Sequence, residues 1–311
     1  MAEERSVLSK SSQKPNSALL FLRDAGIALL FVVLVLLAMY AYTGLWPPLV
    51  VVESDSMMHG TDNLSHIGII DTGDLVLVRD IGAVDDIETY VDGFVFGHKT
   101  YGEFGDVVVF KRDGSDTQTP IIHRAILYIE FNADGHSYRA PSLQYLPAEK
   151  WSTTNPTDTW DRLTSVVMIY HVGWNDVTIT IDINHFIPYR GSGFITKGDH
   201  NPTIDQGGSN RPVDVSWIVG KARGEIPWFG LLKLWATDTL GSVAPENSVR
   251  NLWISIGVIV IVPIGIDVVI TFKEKKEIAR KKAASQLEEK KENAAEAGEP
   301  VRTADDPKGR P

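Results

Sequence analysis

Two long apolar runs divide the chain, and each has the length of a membrane-spanning helix. Residues 25–46 (AGIALLFVVLVLLAMYAYTGLW) contain no charge; as a helix these 22 residues span about 33 Å, enough for a hydrocarbon core of about 30 Å. Tyr40, Tyr42 and Trp46 lie near the end of the run, where membrane interfaces favour aromatic residues. A buried core helix and a cleaved signal peptide are the alternatives. We favour an uncleaved anchor, because the run is long and ends in Trp-Pro-Pro rather than at a small-x-small cleavage site.

The second run, residues 252–272 (LWISIGVIVIVPIGIDVVITF), contains a proline and a charge. Pro263 is expected to kink a helix here, because proline lacks the backbone N–H and its ring clashes with the preceding turn. A carboxylate such as Asp267 is costly at the centre of a bilayer and less costly near an end. We interpret Asp267 as a tolerated charge near the interface rather than as a functional group.

The segment between the two runs, residues 47–251, alternates short β-branched stretches with turns rich in Gly and Asp. The stretches lack a helical period, so the pattern predicts a mostly β domain. Residues 82–104 and 132–165 are rich in Gly, Asp, Asn, Thr and Pro, and we interpret them as loops or insertions. The predicted strands are residues 49–52, 74–78, 106–110, 121–129, 166–171, 177–183 and 194–196.

Composition and charge exclude several classes of protein. The chain has no cysteine, which excludes disulfides, thiolate metal sites and a thiol nucleophile. Its apolar fraction of 43% is too high for a disordered chain. Residues 25–272 hold 28 acidic and 15 basic residues, and this acidic excess repels phosphate backbones, so we expect no nucleic-acid partner.

Basic residues flank the two apolar runs on their outer sides. The positive-inside rule therefore predicts a multi-pass protein of the cell membrane with residues 1–24 and 273–311 in the cytoplasm and residues 47–251 outside. The charged tail is predicted to begin as a solvated helix and to end disordered. The flanking residues are Arg5, Lys10, Lys14 and Arg23 before the first run, and Lys273, Lys275, Lys276, Arg280, Lys281 and Lys282 after the second.

Candidate chemistry lies at three separate points of the outer segment. Ser56 follows a predicted strand and lies no more than about 35 Å of extended chain from Trp46. His123 lies inside the apolar strand 121–129, where a neutral imidazole needs a partner. Asp199 follows strand 194–196 in a Gly-Asp-x-Asn turn, and Asp205 comes six residues after Asp199. A turn serine, a core histidine and an Asx turn are the ordinary interpretations of each piece alone, and it is their joint occurrence that indicates a site. The histidines form no HExxH or other close pair, so a metal site is unsupported.

Several blocks of the sequence match, in order, those of one known family. The matching blocks are residues 54–57 (Ser-Asp-Ser-Met), 72–78, 104–110, 122–124 (Ile-His-Arg), 197–205 and 219–230. On these blocks the chain resembles membrane-bound signal peptidase I of the archaeal and endoplasmic-reticulum type. The resemblance implies a signal-peptidase-like β catalytic domain with a β-rich insertion at about 130–193, flanked by two transmembrane helices.

The resemblance also implies residue roles. Ser56 is the nucleophile and His123 the general base, at the position where bacterial members have lysine. An aspartate must orient the imidazole; we favour Asp205 for this and regard Asp199 as the structural acid, although the sequence leaves both open. The Ser54 hydroxyl and the Ser56 backbone N–H are the expected oxyanion donors. Met58 and His59 depart from the family pattern, and His59 is a rival base.

The expected activity is removal of signal peptides from secretory preproteins through an acyl-enzyme, with no metal or organic cofactor implied. The expected partners are preproteins, the Sec translocon and membrane lipid. The insertion is expected to form a β-rich cap. Two other classes remain open: a non-catalytic, membrane-anchored β domain of an envelope or translocon complex, and a self-cleaving Ser–Lys repressor, which would require lysine at position 123 and a DNA-binding domain.

Overall fold

The structure, a computed structural model, describes residues 17–207, 210–240 and 244–296. The chain separates into two units, Met1–Arg250 and Asn251–Pro311. The helices of the described part are α1 (Ser17–Thr43), α2 (Tyr90–Phe96), α3 (Ile183–Phe186), α4 (Gly230–Thr237) and α5 (Glu246–Glu296). Its strands are β1 (Leu49–Val51), β2 (Leu75–Arg79), β3 (Lys99–Thr100), β4 (Glu103–Phe104), β5 (Val107–Phe110), β6 (Ile121–Phe131), β7 (Tyr138–Arg139), β8 (Trp151–Thr153), β9 (Val166–Val172), β10 (Val177–Asp182), β11 (Gly193–Lys197) and β12 (Ile218–Ile226).

One large antiparallel sheet organises the first unit. Its strand order is β1-β2-β12-β5-β6-β11, and β7 pairs with the far end of β6. The β2 strand alternates, with Val76 and Val78 buried, whereas all four residues of β5 are buried. The β5 strand is therefore covered on both faces, which explains why its sequence is a continuous apolar run.

The insertion, residues 130–193, forms a second antiparallel sheet in the order β10-β9-β8. Its inner side chains, among them Val167, Ile169 and Ile179, share one buried cluster with Leu127 and Ile129 of β6. The insertion is therefore packed on the large sheet through a common apolar core. The prediction of a mostly β segment between two apolar helices is confirmed.

The region 82–104 is not the loop that its composition predicts, because it contains α2 and the β3–β4 pair. The start of α2 is a capping box, in which Thr89 Oγ1 accepts the Asp92 N–H and the Asp92 carboxylate accepts the Thr89 N–H. Gly97, with φ 87°, ends the helix. The Thr-x-x-Asp signal was present in the sequence, but buried Tyr90 and the tertiary packing stabilise a helix too short to show a periodic pattern.

The two long helices are apolar and long enough to cross a membrane, and their apolar side chains are exposed. The boundaries of α1 differ from the predicted 25–46. Arg23 and Asp24 pair with each other at 2.9 Å inside the helix, so these charges do not stop it. Gly44, with φ 72°, follows its last residue. Arg5, Lys10 and Lys14 lie outside the described residues.

The end of α1 is hydrogen-bonded directly to the sheet. The Asp80 N–H donates to the Thr43 carbonyl at 2.8 Å, and the Val78 N–H donates to the Pro48 carbonyl at 2.9 Å. Both bonds lie at the end of β2, and residues 44–48 are all that separates α1 from β1. The helix and the sheet are therefore joined without a flexible linker.

The second predicted span is part of a longer helix. The α5 helix is continuous through Pro263 and includes exposed Asp267. The charged tail was predicted to begin as a helix, and it does, because α5 continues without interruption through residues 273–296. The remaining predicted tail, residues 297–311, lies outside the described residues.

Gly73 and Asp74, the pair before β2, each stabilise the fold in a different way. A Cβ added at Gly73 would lie 2.5 Å from a methyl group of Leu231 in α4, so the position requires glycine. Asp74 accepts the Trp228 N–H and the Asp71 N–H, both at 2.9 Å. These bonds fasten the segment between β12 and α4 to the start of β2.

Asp71 and Asp74 should make stability depend on pH. Burial raises the pKa of Asp71 to about 6 and that of Asp74 to about 7. The folded carboxyl groups bind protons more tightly than the unfolded ones, so their stabilising contribution is complete below the unfolded pKa of about 4 and is lost as the pH rises through 6 and 7. We expect the free energy of unfolding to be higher at pH 5 than at pH 8 by roughly 4 kcal/mol.

Asp71→Asn tests this directly, because it keeps an acceptor for the His66 N–H, 2.6 Å from Asp71 Oδ2, and removes the buried charge. The variant should be more stable than the wild type at pH 8 and should gain less on acidification, as measured by urea unfolding followed by tryptophan fluorescence. Glu149→Gln, at an exposed position, is the control. The same pH slope in Asp71→Asn and in wild type would contradict the assignment.

Candidate active site

A groove of about 540 Å³ opens where three parts of the large sheet meet. Its walls include Ser56 from the turn after β1, His123 from β6, and Asp205 from the loop after β11. Position 56 follows β1 by five residues, and β11 is hydrogen-bonded to β6 as far as the Lys197–Arg124 pair. The neighbouring strands β6 and β11 thus bring His123 and Asp205 together, and the turn after β1, at the other end of the strand order, brings Ser56 to the same groove.

Ser56, His123 and Asp205 form a continuous hydrogen-bonded series. His123 Nε2 lies 3.0 Å from Ser56 Oγ, and His123 Nδ1 lies 2.6 Å from Asp205 Oδ2. The carboxylate can only accept, so it selects the tautomer with hydrogen on Nδ1, and Nε2 is left to accept the Ser56 O–H. His123 is 8% exposed, which fixes the ring within the wall of the groove. The arrangement is that of a hydroxyl beside an oriented base.

Asp205 is held in turn by side chains that sequence reasoning missed. Thr196 Oγ1 donates to Asp205 Oδ2 at 2.7 Å, and Gln206 Nε2 donates to Thr196 Oγ1 at 3.0 Å. Asn210 Nδ2 donates to the Asp205 carbonyl at 2.7 Å. Thr196 ends the predicted strand 194–196, but no sequence signal pairs it with a residue nine positions later.

Asp199 belongs to a separate network and does not contact His123. Arg124 Nε and Nη2 donate to its two oxygens at 2.8 and 2.6 Å, and His59 Nε2 lies 2.9 Å from Oδ2. Burial alone would raise the pKa of Asp199, but the Arg124 guanidinium and His59 hold it well below its usual range. Of the two aspartates that the sequence left open, Asp205 is therefore the one at the imidazole, and His59, the rival base, faces Asp199.

Arg124 anchors this second network to the end of β4. Its Nη1 donates to the carbonyls of Phe104 at 3.1 Å and Gly105 at 2.9 Å. The side chain is 1% exposed. Since alternate residues of a strand point to opposite faces, His123 reaches the groove while Arg124 enters the interior.

Lys197 is a further structural residue that sequence reasoning did not single out. Its Nζ donates to the carbonyls of Gly198 at 2.8 Å, Asp199 at 3.1 Å and Asn201 at 2.7 Å. Burial lowers the pKa of Lys197 below its ordinary value. The three carbonyl acceptors close the loop 198–201 around the ammonium group, which gives this loop a defined shape beside Ser56.

Two donors lie near the Ser56 hydroxyl. Ser54 Oγ is 3.2 Å from Ser56 Oγ. Within the described ranges no backbone acceptor takes the Ser56 N–H, whereas the Ser56 carbonyl accepts the His200 N–H at 2.9 Å. The predicted oxyanion donors are therefore close to the hydroxyl.

One edge of β6 is open beside these residues. The Ala125 N–H donates to the Asp106 carbonyl at 3.0 Å, and the register pairs His123 with Val108 and Ile121 with Phe110. Because hydrogen-bonded pairs alternate in an antiparallel ladder, the N–H and C=O of Ile122 point away from β5 and into the groove. No strand of the described chain pairs with this edge at residues 121–123.

Gly198 is the point of closest approach in the site. An added Cβ would lie 2.6 Å from the Ser56 carbonyl oxygen, 2.8 Å from Asn201 Nδ2 and 2.9 Å from His123 Nε2. Gly198→Ala must therefore displace the Ser56 backbone or the His123 imidazole, and a shift near 1 Å in a reacting group costs roughly 100-fold in rate. We expect a loss of at least that size in the kcat of any reaction at Ser56. The control is Gly207→Ala, where a Cβ meets nothing within 4 Å; equal activity of the two variants would contradict the steric argument.

No known family model matches the sequence, and no curated protein matches it significantly. The ranges described here contain no group of three or more His, Cys, Asp or Glu side chains that could hold a metal ion. The arrangement can activate a serine hydroxyl for attack on a carbonyl carbon, orient the base that takes its proton, and offer two donors to the resulting oxyanion.

Proposed function

We propose that this chain is a membrane-anchored serine endopeptidase of the signal peptidase I type, which removes signal peptides from secretory preproteins. The observation that carries the proposal is the hydrogen-bonded series Ser56–His123–Asp205. Its serine lies thirteen residues after the end of α1, an apolar helix long enough to span a membrane. The match of sequence blocks supports the same family and a signal-peptidase-like fold.

The reaction begins with attack of Ser56 Oγ on the carbonyl carbon of the scissile bond. His123 Nε2 accepts the hydroxyl proton, and the Asp205 carboxylate stabilises the imidazolium ion that forms. Negative charge moves to the carbonyl oxygen, where the Ser56 N–H and the Ser54 hydroxyl donate to it. The position of Ser54, 3.2 Å from Ser56 Oγ, supports this role.

His123 then protonates the leaving amine, which departs as the new N-terminus of the mature protein and leaves the signal peptide esterified to Ser56. His123 next takes a proton from water, and the hydroxide attacks the ester carbonyl. Collapse of the second tetrahedral intermediate returns the proton to Ser56 Oγ and releases the signal peptide as a carboxylate. One imidazole thus serves both half-reactions.

The open edge of β6 supports binding of the substrate as an extended strand. A peptide laid beside Ile122 exchanges main-chain hydrogen bonds with its N–H and C=O, which provides affinity without sequence specificity. Selection then depends on side-chain pockets, and the family resemblance implies small residues at the first and third positions before the scissile bond.

The membrane geometry of the proposal follows from α1. The apolar segment of a preprotein lies in the bilayer, so its cleavage site emerges near the surface. Ser56, a short distance along the chain from α1, would be at a matching depth. We infer a multi-pass protein of the cell membrane with cytoplasmic ends and an outward-facing catalytic domain, acting on preproteins delivered by the Sec translocon.

The test is cleavage of a preprotein by the full chain in liposomes. The substrate carries alanine at the first and third positions before the expected cut, and mass spectrometry identifies the product ends. The wild type and Ser285→Ala, an exposed serine of α5, should cleave at that bond. The cleavage rate of Ser56→Ala should be lower than that of the wild type by roughly 10⁵-fold or more. Absence of cleavage by the wild type, or equal cleavage by Ser56→Ala, would favour a non-catalytic β domain instead.

A further inference from the structure

The hairpin between β9 and β10 brings an aromatic side chain of the second sheet to the loops around Ser56. Trp174 lies at the tip of this hairpin. Its indole ring stacks on the His59 imidazole, with centroids 5.8 Å apart and planes 29° apart. It also lies near the His200 imidazole, with centroids 6.0 Å apart and planes at 31°. One side chain of the insertion therefore contacts two loops of the large-sheet region.

The hairpin tip is tied down and can hold Trp174 in a defined position. The Asp176 N–H donates to the Gly173 carbonyl at 3.1 Å, and His171 Nδ1 lies 2.8 Å from Asp176 Oδ1. The Gly173 N–H donates to the Tyr90 hydroxyl of α2 at 3.1 Å. The turn is thus fixed both internally and to the element beneath it, as a positioning role requires.

The two histidines that Trp174 contacts both lie in loops that adjoin Ser56. His59 is three residues after Ser56 and is bonded to Asp199. His200 follows Asp199, and its backbone N–H donates to the Ser56 carbonyl at 2.9 Å. The loop 56–59 and the loop 198–201 therefore meet at Ser56, and both are covered by the same indole ring.

We infer that Trp174 is a positioning residue: the insertion uses its ring to clamp the loops 56–59 and 198–201 together and so keeps Ser56 Oγ within hydrogen-bonding distance of His123. The catalytic part of this inference rests on the proposed function, whereas the clamp itself is a property of the fold. The ring touches neither Ser56 nor His123, so it acts through His59 and His200. The second sheet is thereby a part of the site as well as a cap.

The experiment compares Trp174→Ala with Trp174→Phe and with Trp151→Ala in the full chain in detergent. Trp151 begins β8 and packs on the core shared by the two sheets. Its removal weakens the insertion without touching either loop, so it controls for simple loss of stability. The two measurements are steady-state cleavage of the preprotein and hydrogen exchange of the His200 amide, both made well below the melting temperatures of all variants.

Trp174→Ala should lower kcat by about 10- to 100-fold and change KM by less than about threefold, because misplacement of the nucleophile affects the chemical step. The His200 amide should exchange at least about tenfold faster, because its bond to the Ser56 carbonyl opens more often. Trp174→Phe should recover most of the kcat, since a ring remains. Trp151→Ala should leave both readouts within about threefold of the wild type.

Equal exchange of the His200 amide in Trp174→Ala and Trp151→Ala would overturn the inference, as would equal loss of kcat in the two variants. A Trp174→Phe variant as slow as Trp174→Ala would also overturn it, because the argument requires ring stacking. If the wild type cleaves no preprotein, the proposed function fails, and the exchange comparison still decides whether Trp174 holds the two loops together.

Discussion

Replacing His123 with alanine is expected to lower kcat/KM for preprotein cleavage by roughly 10⁴- to 10⁶-fold, the range found when one member of a unit of catalytic residues is removed. His123 Nε2 is 3.0 Å from Ser56 Oγ, and no other imidazole contacts that oxygen among the described residues. Without a base the Ser56 hydroxyl keeps its proton and is a weak nucleophile. The rate should be measured with the same preprotein, alongside thermal melting to show that the variant is folded.

His136→Ala is the matched control, since His136 is exposed on the insertion and should leave kcat/KM unchanged. His123→Lys asks whether a Ser–Lys mode can operate on this scaffold. The Asp205 carboxylate, now 2.6 Å from the imidazole, would favour the charged ammonium form of a lysine, which cannot accept a proton. We therefore expect His123→Lys to be inactive. Activity of His123→Ala within tenfold of the wild type would contradict the assignment of the base, whereas comparable activity of His123→Lys would show that a Ser–Lys mode can operate on this scaffold.

The two aspartates should fail in different ways when changed to asparagine. Asp205→Asn is expected to lower kcat by about 10³- to 10⁴-fold, because an amide no longer selects the His123 tautomer with hydrogen on Nδ1 or stabilises the imidazolium ion. Its effect on unfolding should be small, about 1 kcal/mol, because Thr196 and the backbone of the loop keep their other partners.

Asp199→Asn should instead destabilise the fold by about 3–5 kcal/mol, because it leaves the buried guanidinium of Arg124 without a counter-charge. Denaturant unfolding and preprotein cleavage, measured on the same preparations, separate the two effects. The assignments would be reversed if Asp199→Asn were stable and inactive while Asp205→Asn were unstable. Equal behaviour of the two variants would contradict the separation of the networks.

The sequence predicted the sheet well because its signals are local. Each predicted strand lies within or beside an observed one, since β-branched runs bounded by Gly and Asp turns need no knowledge of their partners. The β12 strand, whose sequence IVGKARGEI lacks a clean alternation, was recognised only as a family block. The α2 helix was missed because its seven residues are too few to show a period, and its stability comes from packing.

The sequence predicted the reacting residues of the candidate site but not the residues that hold them in place. Ser56 and His123 could be named from motif position, but the choice between Asp199 and Asp205 depends on how the loop after β11 folds back. That loop is shaped by Lys197, whose three carbonyl acceptors are set by geometry and carry no sequence pattern. Trp174 is more than fifty residues from His123, and only the packing of the insertion on the large sheet brings its ring to the site.

The rigid joint between α1 and the sheet has a consequence for which preproteins are cut. The backbone hydrogen bonds of Thr43 and Pro48 to the end of β2 fix the end of α1 to the sheet that positions Ser56. In the proposed function, the reactive hydroxyl then stands at one fixed height above the bilayer. Signal peptides whose hydrophobic segment is too short or too long would place the scissile bond above or below that height. The enzyme would then select preproteins by the length of this segment, independently of the side chains around the scissile bond.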